Sequence, residues 1–268
     1  MGTTTRALET GWLDDTPVED NLLRRFVRNQ ADLDALTATT VGGRAAEVPG
    51  VAMADGGVDL AYWNQATLQR PLRDLDDPLL DAVDDFWATA RARPHLLLSV
   101  WPTPDLAPRG WRLAGHPMFV ARAPGPHVDT AAAGVDVRVV TTTEELAQAE
   151  RVVIDGYPLP GWDAPLGTLL PPSLLGTAVR FRLGSVDGDV VATTRGYVAH
   201  GVVNLALAAT LPAARRRGVW AAMVWARVDD APAAPAVAFT SDFSRPGFVR
   251  MGFLPLTRCT LWLRGGDG

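Results

Sequence analysis

The chain has 268 residues, of which 47% are hydrophobic and 21% charged, a size and balance that suit two globular domains. This composition excludes a disordered or collagen-like protein. The net charge is −5 and all 25 basic residues are arginine, which excludes a general attraction to nucleic acid or to anionic membranes.

A single cysteine, Cys259, rules out an internal disulfide and any CxxC metal or redox motif. His95 and His116 lack metal-ligand partners at suitable spacing, so we expect no metal. The first residues lack the basic and apolar regions of a signal peptide, and no apolar stretch approaches the roughly 18 residues that span a membrane. We therefore expect a cytoplasmic protein without a membrane partner.

The first half of the chain carries two helical patterns among strand patterns. Thr16 or Asp20 could cap the first helix, Asp55-Gly56-Gly57 marks a hairpin turn, and Pro94 ends the second helix. The predicted elements are a helix over 16–36, a hairpin over 51–63, a helix over 76–91, and strands over 95–101 and 118–121.

A Pro/Gly/Ala-rich run over 123–134 predicts a domain boundary, which gives domains 1–128 and 129–268. After this run the order β-α-β-β-β-α-β-α-β predicts the α/β (α+β) class, with helices flanking a mixed sheet. Asp187-Gly188 is a favoured hairpin turn within it. The predicted strands are 135–141, 178–186, 190–197, 202–209, 236–240 and 256–263, and the predicted helices are 143–154, 217–228 and 248–251.

The most informative stretch is the junction over 203–225, where an apolar strand enters an arginine-rich loop and then an apolar helix. The first N–H groups of a helix lack partners inside the helix and carry partial positive charge, which makes them a natural phosphate site. Three consecutive arginines, 215–217, favour the same ligand. The alternative is a solvent-exposed arginine turn before an ordinary helix.

At this junction the sequence resembles the GNAT (Gcn5-related N-acetyltransferase) superfamily, whose acyl-CoA signature is Arg/Gln-x-x-Gly-x-Gly/Ala. Arg215 and Gly218 match the signature, 208–212 is similar to its "VAT-x-P" lead-in, and 241–253 resembles the later segment that ends in Gly-Phe. The resemblance covers roughly 135–264. It implies a mixed, mostly antiparallel GNAT sheet with flanking helices, preceded by a degenerate GNAT-like domain similar to the first repeat of tandem GNAT proteins.

The resemblance also implies that acetyl-CoA or another acyl-CoA binds as co-substrate, without a metal. Main-chain groups on the fourth strand would pair with the pantetheine arm, and N–H groups over 216–221 would hold the pyrophosphate. The donor-binding residues implied in this way are Ala208, Ala209, Leu211, Arg215, Arg216, Arg217, Gly218, Val219, Trp220, Ala221, Ser241, Ser244 and Phe248.

Two residues depart from the family pattern. Trp220 stands where Gly or Ala is usual, so its indole either crowds the phosphate site or packs sideways. Phe248 stands where the family has a tyrosine whose hydroxyl protonates the departing thiolate, and general acid help of this kind is worth about 10²–10⁴-fold. Either another group replaces that acid or fast acetyl transfer is lost.

Candidates for the base that deprotonates the acceptor amine are Asp242, His200 and Tyr197. Asp242 could equally be a turn cap, and His200 an exposed turn residue. Asn204 lies where many relatives have glutamate, but an amide cannot act as a base. Acceptor contacts are predicted at Asn204 and, within the proline-rich segment 157–172, at Tyr157 and Trp162.

The leading hypothesis is therefore direct transfer of an acyl group from acyl-CoA to a small-molecule amine. The alternatives are altered GNAT chemistry in a natural-product pathway, and a CoA-binding sensor or interaction module without catalysis. A homodimer is left open, and no nucleic acid partner is expected.

Overall fold

The computed structural model describes residues 21–90, 92–128, 134–157, 159 and 162–266. The predicted caps Thr16 and Asp20, the predicted helix end at Arg91 and the centre of the boundary run, 129–133, lie outside these residues. The helices are α1 Leu22–Thr40, α2 Pro78–Phe86, α3 Thr143–Gly156, α4 Val219–Val228 and α5 Arg245–Arg250. No helix in these ranges is long and apolar enough to cross a membrane.

Among the described residues, fourteen strands lie between and after these helices. They are β1 Arg44–Val48, β2 Val51–Asp55, β3 Asn64–Leu68, β4 His95–Ser99, β5 Arg112–Gly115, β6 Met118–Arg122, β7 Val135–Val139, β8 Arg180–Val186, β9 Asp189–Ala199, β10 Val202–Asn204, β11 Ala208–Thr210, β12 Ala236–Thr240, β13 Leu254–Arg258 and β14 Thr260–Arg264.

Local sequence accounts for the ends of several helices. Asn21 caps α1 by accepting from the Arg24 N–H. Asp77 caps α2 in the same way, and α3 begins with a complete capping box between Thr142 and Glu145. The predicted starts of α2 and α3 agree with these caps to within two residues. Helix α1 extends to Thr40, four residues beyond its predicted end, and α2 ends at Phe86, five residues before its predicted end.

The first sheet has the order β1-β2-β3-β4-β14-β5, with β3 and β4 parallel and the other pairs antiparallel. Helix α2 covers one face, where Leu80, Val83 and Trp87 join the core. Strand β1 was not predicted, because its residues are largely exposed and show no clear alternation. The predicted hairpin 51–63 was wrong in its second strand: β2 pairs with β3, which begins only at Asn64, because a longer connection that includes a 3-10 turn at Ala61–Trp63 follows Asp55.

The second sheet has the order β13-β6-β12-β10-β9-β8-β7, with β11 paired to β9. Helix α4 covers one face, where Met223 packs on Ala192, whereas α1 and α3 cover the other, where Leu33 and Leu146 share a core with Tyr197. Ala192 and Tyr197 lie on opposite faces of β9, as the alternation of side chains along a strand requires.

The two sheets exchange strands across the predicted boundary at 128/129. Strand β6 precedes the boundary and pairs with β12 and β13 in the second sheet, whereas β14 comes last and pairs with β4 and β5 in the first. The predicted strand 256–263 is therefore two strands, separated at Cys259, whose N–H donates to the Pro117 carbonyl. The sheets do not divide where the sequence predicts a domain boundary.

Helix α1 lies between the two sheets and joins their cores. Phe26 and Val27 pack with Leu96 and Leu98 of the first sheet and with Val237 of the second. Helix α1 therefore contacts strands of both sheets.

Candidate active site

The predicted strand 202–209 is interrupted, and the interruption opens a wedge in the second sheet. Strands β10 and β12 pair in parallel at Val203 and Asn204, and the Leu205 N–H still donates to Val237 O at 2.9 Å. After Leu207, whose φ is 39°, β11 pairs with β9 alone, while the end of β12 pairs with β6 alone. The facing edges of β11 and β12 are thus separated.

The main-chain groups on the wedge side of β11 belong to Ala208 and Thr210. Leu207 O accepts from the Arg195 N–H, and the Leu211 N–H donates to Val191 O, both at 2.9 Å. Because hydrogen-bonding direction alternates along a strand, 207, 209 and 211 face β9, and 208 and 210 face away. The open edge thus differs from the expected set of Ala208, Ala209 and Leu211.

Two side chains already contact this open edge. The Tyr157 hydroxyl donates to Ala208 O at 2.6 Å. The Arg215 guanidinium donates to Thr210 O at 3.1 Å and to Gly156 O at 2.9 Å. Arg215 therefore ties the end of α3 to the loop that leads into α4.

The loop ends at Gly218, which adopts a left-handed conformation (φ 78°) at the N-cap of α4. No side chain in the described part of the chain caps this helix, so its first N–H groups point out of the helix end. Arg216 is exposed, also with a positive φ of 64°, and Arg217 pairs with Asp187 at 3.2 Å. Val219 is buried and Ala221 half-buried in the first turn.

The indole of Trp220 lies against α5. Its ring meets the Phe248 ring edge-on at 4.7 Å, and a Cβ at Gly247 would stand only 2.7 Å from its Cζ3 atom. Phe248 is buried and also packs on Phe253. The absence of a side chain at Gly247 thus lets the indole join the first turn of α4 to α5.

Arg227 of α4 braces the irregular segment between β10 and β11. Its side chain is fully buried and donates to Met223 O at 3.1 Å, Ala206 O at 3.1 Å and Arg195 O at 3.4 Å. Burial lowers the pKa of this guanidinium to about 9. Ala206 lies in the segment between β10 and β11, and Arg195 lies on the neighbouring strand β9. Arg227 therefore joins this segment to β9 at the point where β11 separates from β12.

A polar cluster that sequence reasoning missed lies on the other face of the sheet, beside α1. Asn204 donates to Gln30 Oε1 at 3.0 Å, and Gln30 donates to both carboxylate oxygens of Asp34 at 2.9 and 3.0 Å. Gln65 of β3 donates to Asp34 Oδ2 at 2.8 Å, and Arg195 lies nearby. We call these five residues the Asp34 cluster.

Burial raises the pKa of Asp34 to about 6, although Arg195, Gln30 and Gln65 act in the opposite direction. A half-buried carboxyl with a raised pKa is typical of functional sites. Asn204 was singled out from the sequence as an acceptor contact, but Gln30 and Asp34, one helical turn apart on an amphipathic helix with several other polar residues, were not.

The three predicted bases lie in different places. Arg258 at 2.9 Å lowers the pKa of Asp242, which makes that exposed carboxylate a weak base. His200 is in the β9–β10 turn, where it contacts Asp32 at 2.5 Å, away from the opening of the wedge. Burial raises the pKa of Tyr197, which is paired with Asn204 in the sheet and packed beneath α1. The structure does not bring these three together.

The remaining predicted contacts are near the ends of the site. Ser241 and Ser244 precede α5 and share a hydrogen bond of 3.2 Å between their hydroxyls. Trp162 is half-buried and packs against the core shared by α1 and α3. Among the described residues, no group of three or more His, Cys, Asp or Glu side chains is placed to hold a metal.

Comparison with known proteins identifies the fold. Neither a family model nor a curated protein sequence matches the chain. Among solved structures, a GCN5-related N-acetyltransferase from Kribbella flavida superposes with a TM-score of 0.68 at 21% identity, over 93% of this chain and 98% of its own.

Two more distant structures superpose over most of both chains. A conserved protein of unknown function from Staphylococcus epidermidis has a TM-score of 0.59 at 10% identity, covering 83% of this chain and 93% of its own. A GCN5-related N-acetyltransferase from Sphaerobacter thermophilus has a TM-score of 0.52 at 13% identity, covering 90% of this chain and 95% of its own. The mixed α/β architecture expected from the sequence is confirmed, and the chain has the fold of GNAT acetyltransferases.

Proposed function

We propose that this protein transfers an acyl group from acyl-CoA directly to a small amine. The observation that carries the proposal is the separation of β11 from β12 immediately beside the uncapped start of α4. An extended arm that ends in a diphosphate suits this combination, since one part offers strand-edge groups and the other offers helix N–H groups. Acyl-CoA has both parts.

The donor would use main-chain groups more than side chains. Ala208 and Thr210 would pair with the amides of the pantetheine arm, in place of the present bonds from Tyr157 and Arg215. The N–H groups over 218–221 would hold the pyrophosphate, with the exposed Arg216 beside it. Arg215 would keep the loop in place through its bond to Gly156.

The acceptor would approach from the face that carries α1 and α3, opposite to α4. Its amine would attack the thioester carbonyl without a covalent enzyme intermediate, and the thiolate would leave. Phe248 has no proton to give, so we assign no side chain of α5 to this step. The hydroxyl of Tyr157, which already contacts the open edge of β11, is the side chain that we consider for protonating the thiolate.

A second candidate is a CoA-binding module that does not catalyse transfer. It is favoured by Phe248, which is buried between Trp220 and Phe253 and lacks the hydroxyl of its counterpart in the family pattern. Such a module would bind acyl-CoA as tightly as an enzyme but release no thiol.

Incubation of the full chain with acetyl-CoA and a panel of small amines separates the two candidates. The readouts are CoA thiol release and the mass of the acylated product. Cys259 leaves the thiol signal undisturbed, because it is buried and its pKa is raised to about 12. We expect amine-dependent thiol release. Donor binding without release for any amine would exclude the transferase and favour the module.

A further inference from the structure

Arg195 is a buried cation without a side-chain partner among the described residues. Only 9% of the residue is exposed, and its Nε atom is buried without a hydrogen bond. Within the described part of the chain, its guanidinium forms neither a hydrogen bond nor an ion pair. Because burial of an unpaired charge is unfavourable, burial lowers the pKa of this guanidinium. A group in this condition is suited to bind an anion that enters from outside.

The nearest opposite charge, Asp34, is held away from Arg195 by other residues. The two lie close enough for each to influence the pKa of the other, yet they form no ion pair. Both oxygens of Asp34 accept hydrogen bonds from Gln30, and one accepts a further bond from Gln65. These amides belong to α1 and β3, so the carboxylate is fixed from two sides and the two charges remain separate.

Both charges lie on the acceptor side of the wedge. A Cβ at Gly196 would point at Arg227 of α4, so Arg195, the preceding residue on β9, points to the other face, beneath α1. Asp34 is linked through Gln30 to Asn204, the last residue of β10 before the wedge opens. Asp34 is therefore linked by hydrogen bonds to the strand that leads into the wedge.

We propose that the acceptor is an amino acid, with its carboxylate bound by Arg195 and its amine received by Asp34. This inference rests on the proposed function and names its substrate class. A zwitterion presents one charge to each member of the pair, and a guanidinium binds a carboxylate through two parallel N–H bonds. A simple amine would leave Arg195 without an anion, and a simple carboxylate would leave Asp34 without a cation.

Direct binding tests the inference independently of turnover. The full chain is titrated by calorimetry with matched pairs that differ by one carboxylate: tryptophan and tryptamine, histidine and histamine, leucine and isoamylamine, ornithine and putrescine. We expect at least one amino acid to bind about 10- to 100-fold more tightly than its decarboxylated partner, the range for hydrogen bonds to a charged group.

Substitutions then assign the two charges. Arg195→Gln should abolish the preference for the amino acid and leave binding of the amine within about threefold, while Arg195→Lys should restore part of the preference. Asp34→Asn should weaken both members of a pair. Arg151→Gln, on the exposed face of α3, is the matched control and should change neither. Far-ultraviolet circular dichroism and affinity for acetyl-CoA confirm that each variant is folded.

The possible outcomes separate the inference from the proposed function. If the wild-type chain binds each amine as tightly as its amino acid, or if Arg195→Gln keeps the preference, the inference is overturned, whether or not amines are acylated. If the chain prefers amino acids through Arg195 but releases no thiol with them, the binding site stands and the transferase proposal fails.

Discussion

The hydroxyl of Tyr157, at the end of α3, donates to the carbonyl oxygen of Ala208 at 2.6 Å. Ala208 is the first residue of β11, on the edge that faces the wedge. The phenol thus occupies a main-chain acceptor that an extended ligand would need. The same contact joins the loop after α3, where acceptor contacts were predicted, to the strand assigned to donor binding.

Tyr157→Phe should make donor binding easier. A donor that pairs with Ala208 O must first displace the phenol, and the variant removes that competitor without changing the ring. We expect the Kd for acetyl-CoA to fall about threefold to tenfold, which corresponds to one ordinary hydrogen bond. Calorimetry on both proteins checks this expectation. Weaker binding by the variant would instead indicate that the hydroxyl contacts the donor.

Gly218→Ala should damage the phosphate site. Gly218 has a φ of 78°, which strains any residue with a Cβ, and the loop there must come close to a diphosphate. We expect the affinity for acetyl-CoA to fall at least tenfold. Gly188→Ala is the matched control, since Gly188 has a φ of 89° in an open hairpin turn and no atom within 4 Å of a Cβ there. Equal losses in both variants would mean that backbone strain alone explains the effect.

Asp34→Asn should become more stable relative to the wild type as the pH rises. The folded state raises the pKa of Asp34 from its ordinary value of 3.8 to about 6. Between these values the native state keeps a proton that the unfolded chain has lost, so the free energy of unfolding falls as pH rises, and the full penalty applies above about pH 6. Asparagine has no such penalty.

The measurement is urea unfolding of both proteins at pH 4 and pH 8. We expect the difference between variant and wild type to shift by about 2 kcal/mol in favour of the variant from the lower to the higher pH. Asp85→Asn, on the exposed side of α2, serves as the control. A difference that does not vary with pH would contradict the assignment.

Arg227→Leu should destabilise the fold and close the wedge. The substitution leaves the carbonyls of Ala206 and Arg195 without their buried donor, at a cost of about 2–4 kcal/mol in the free energy of unfolding. Urea denaturation measures this loss, and calorimetry should show weaker acetyl-CoA binding in the fraction that remains folded. Arg151→Leu, on the exposed side of α3, should change stability by less than about 0.5 kcal/mol.

The sequence was sufficient to place the helices approximately and many of the strands, because polar residues at the start of α3 and turns such as Asp187-Gly188 are local signals. Prediction from the sequence failed where contacts between distant residues determine how the strands end and pair. At the interruption between β10 and β11, Ala206 O accepts a hydrogen bond from Arg227, more than 15 positions away, and Leu207 has a positive φ. Nothing in the apolar run over 202–209 indicates it.

The exchange of strands between the sheets was missed for a related reason. A single residue, Cys259, separates β13 from β14, and a continuous apolar pattern does not reveal which sheet each part joins. The Asp34 cluster could not be predicted either, since its members come from α1, β3, β9 and β10 and meet only in the folded chain. The loop proposed to bind the pyrophosphate is contiguous in sequence, so its strand-loop-helix outline could be predicted, whereas its ligand stays a prediction.

Titration of the wild-type chain with acetyl-CoA is the most direct test of the account, because the wedge and the uncapped start of α4 are offered as one donor site. We predict saturable binding of one acetyl-CoA per chain, weakened at least tenfold by Gly218→Ala and little changed by Gly188→Ala. Absence of heat with acetyl-CoA, with free CoA and with longer acyl-CoAs, for a chain shown to be folded, would contradict the donor site and the transfer reaction built on it.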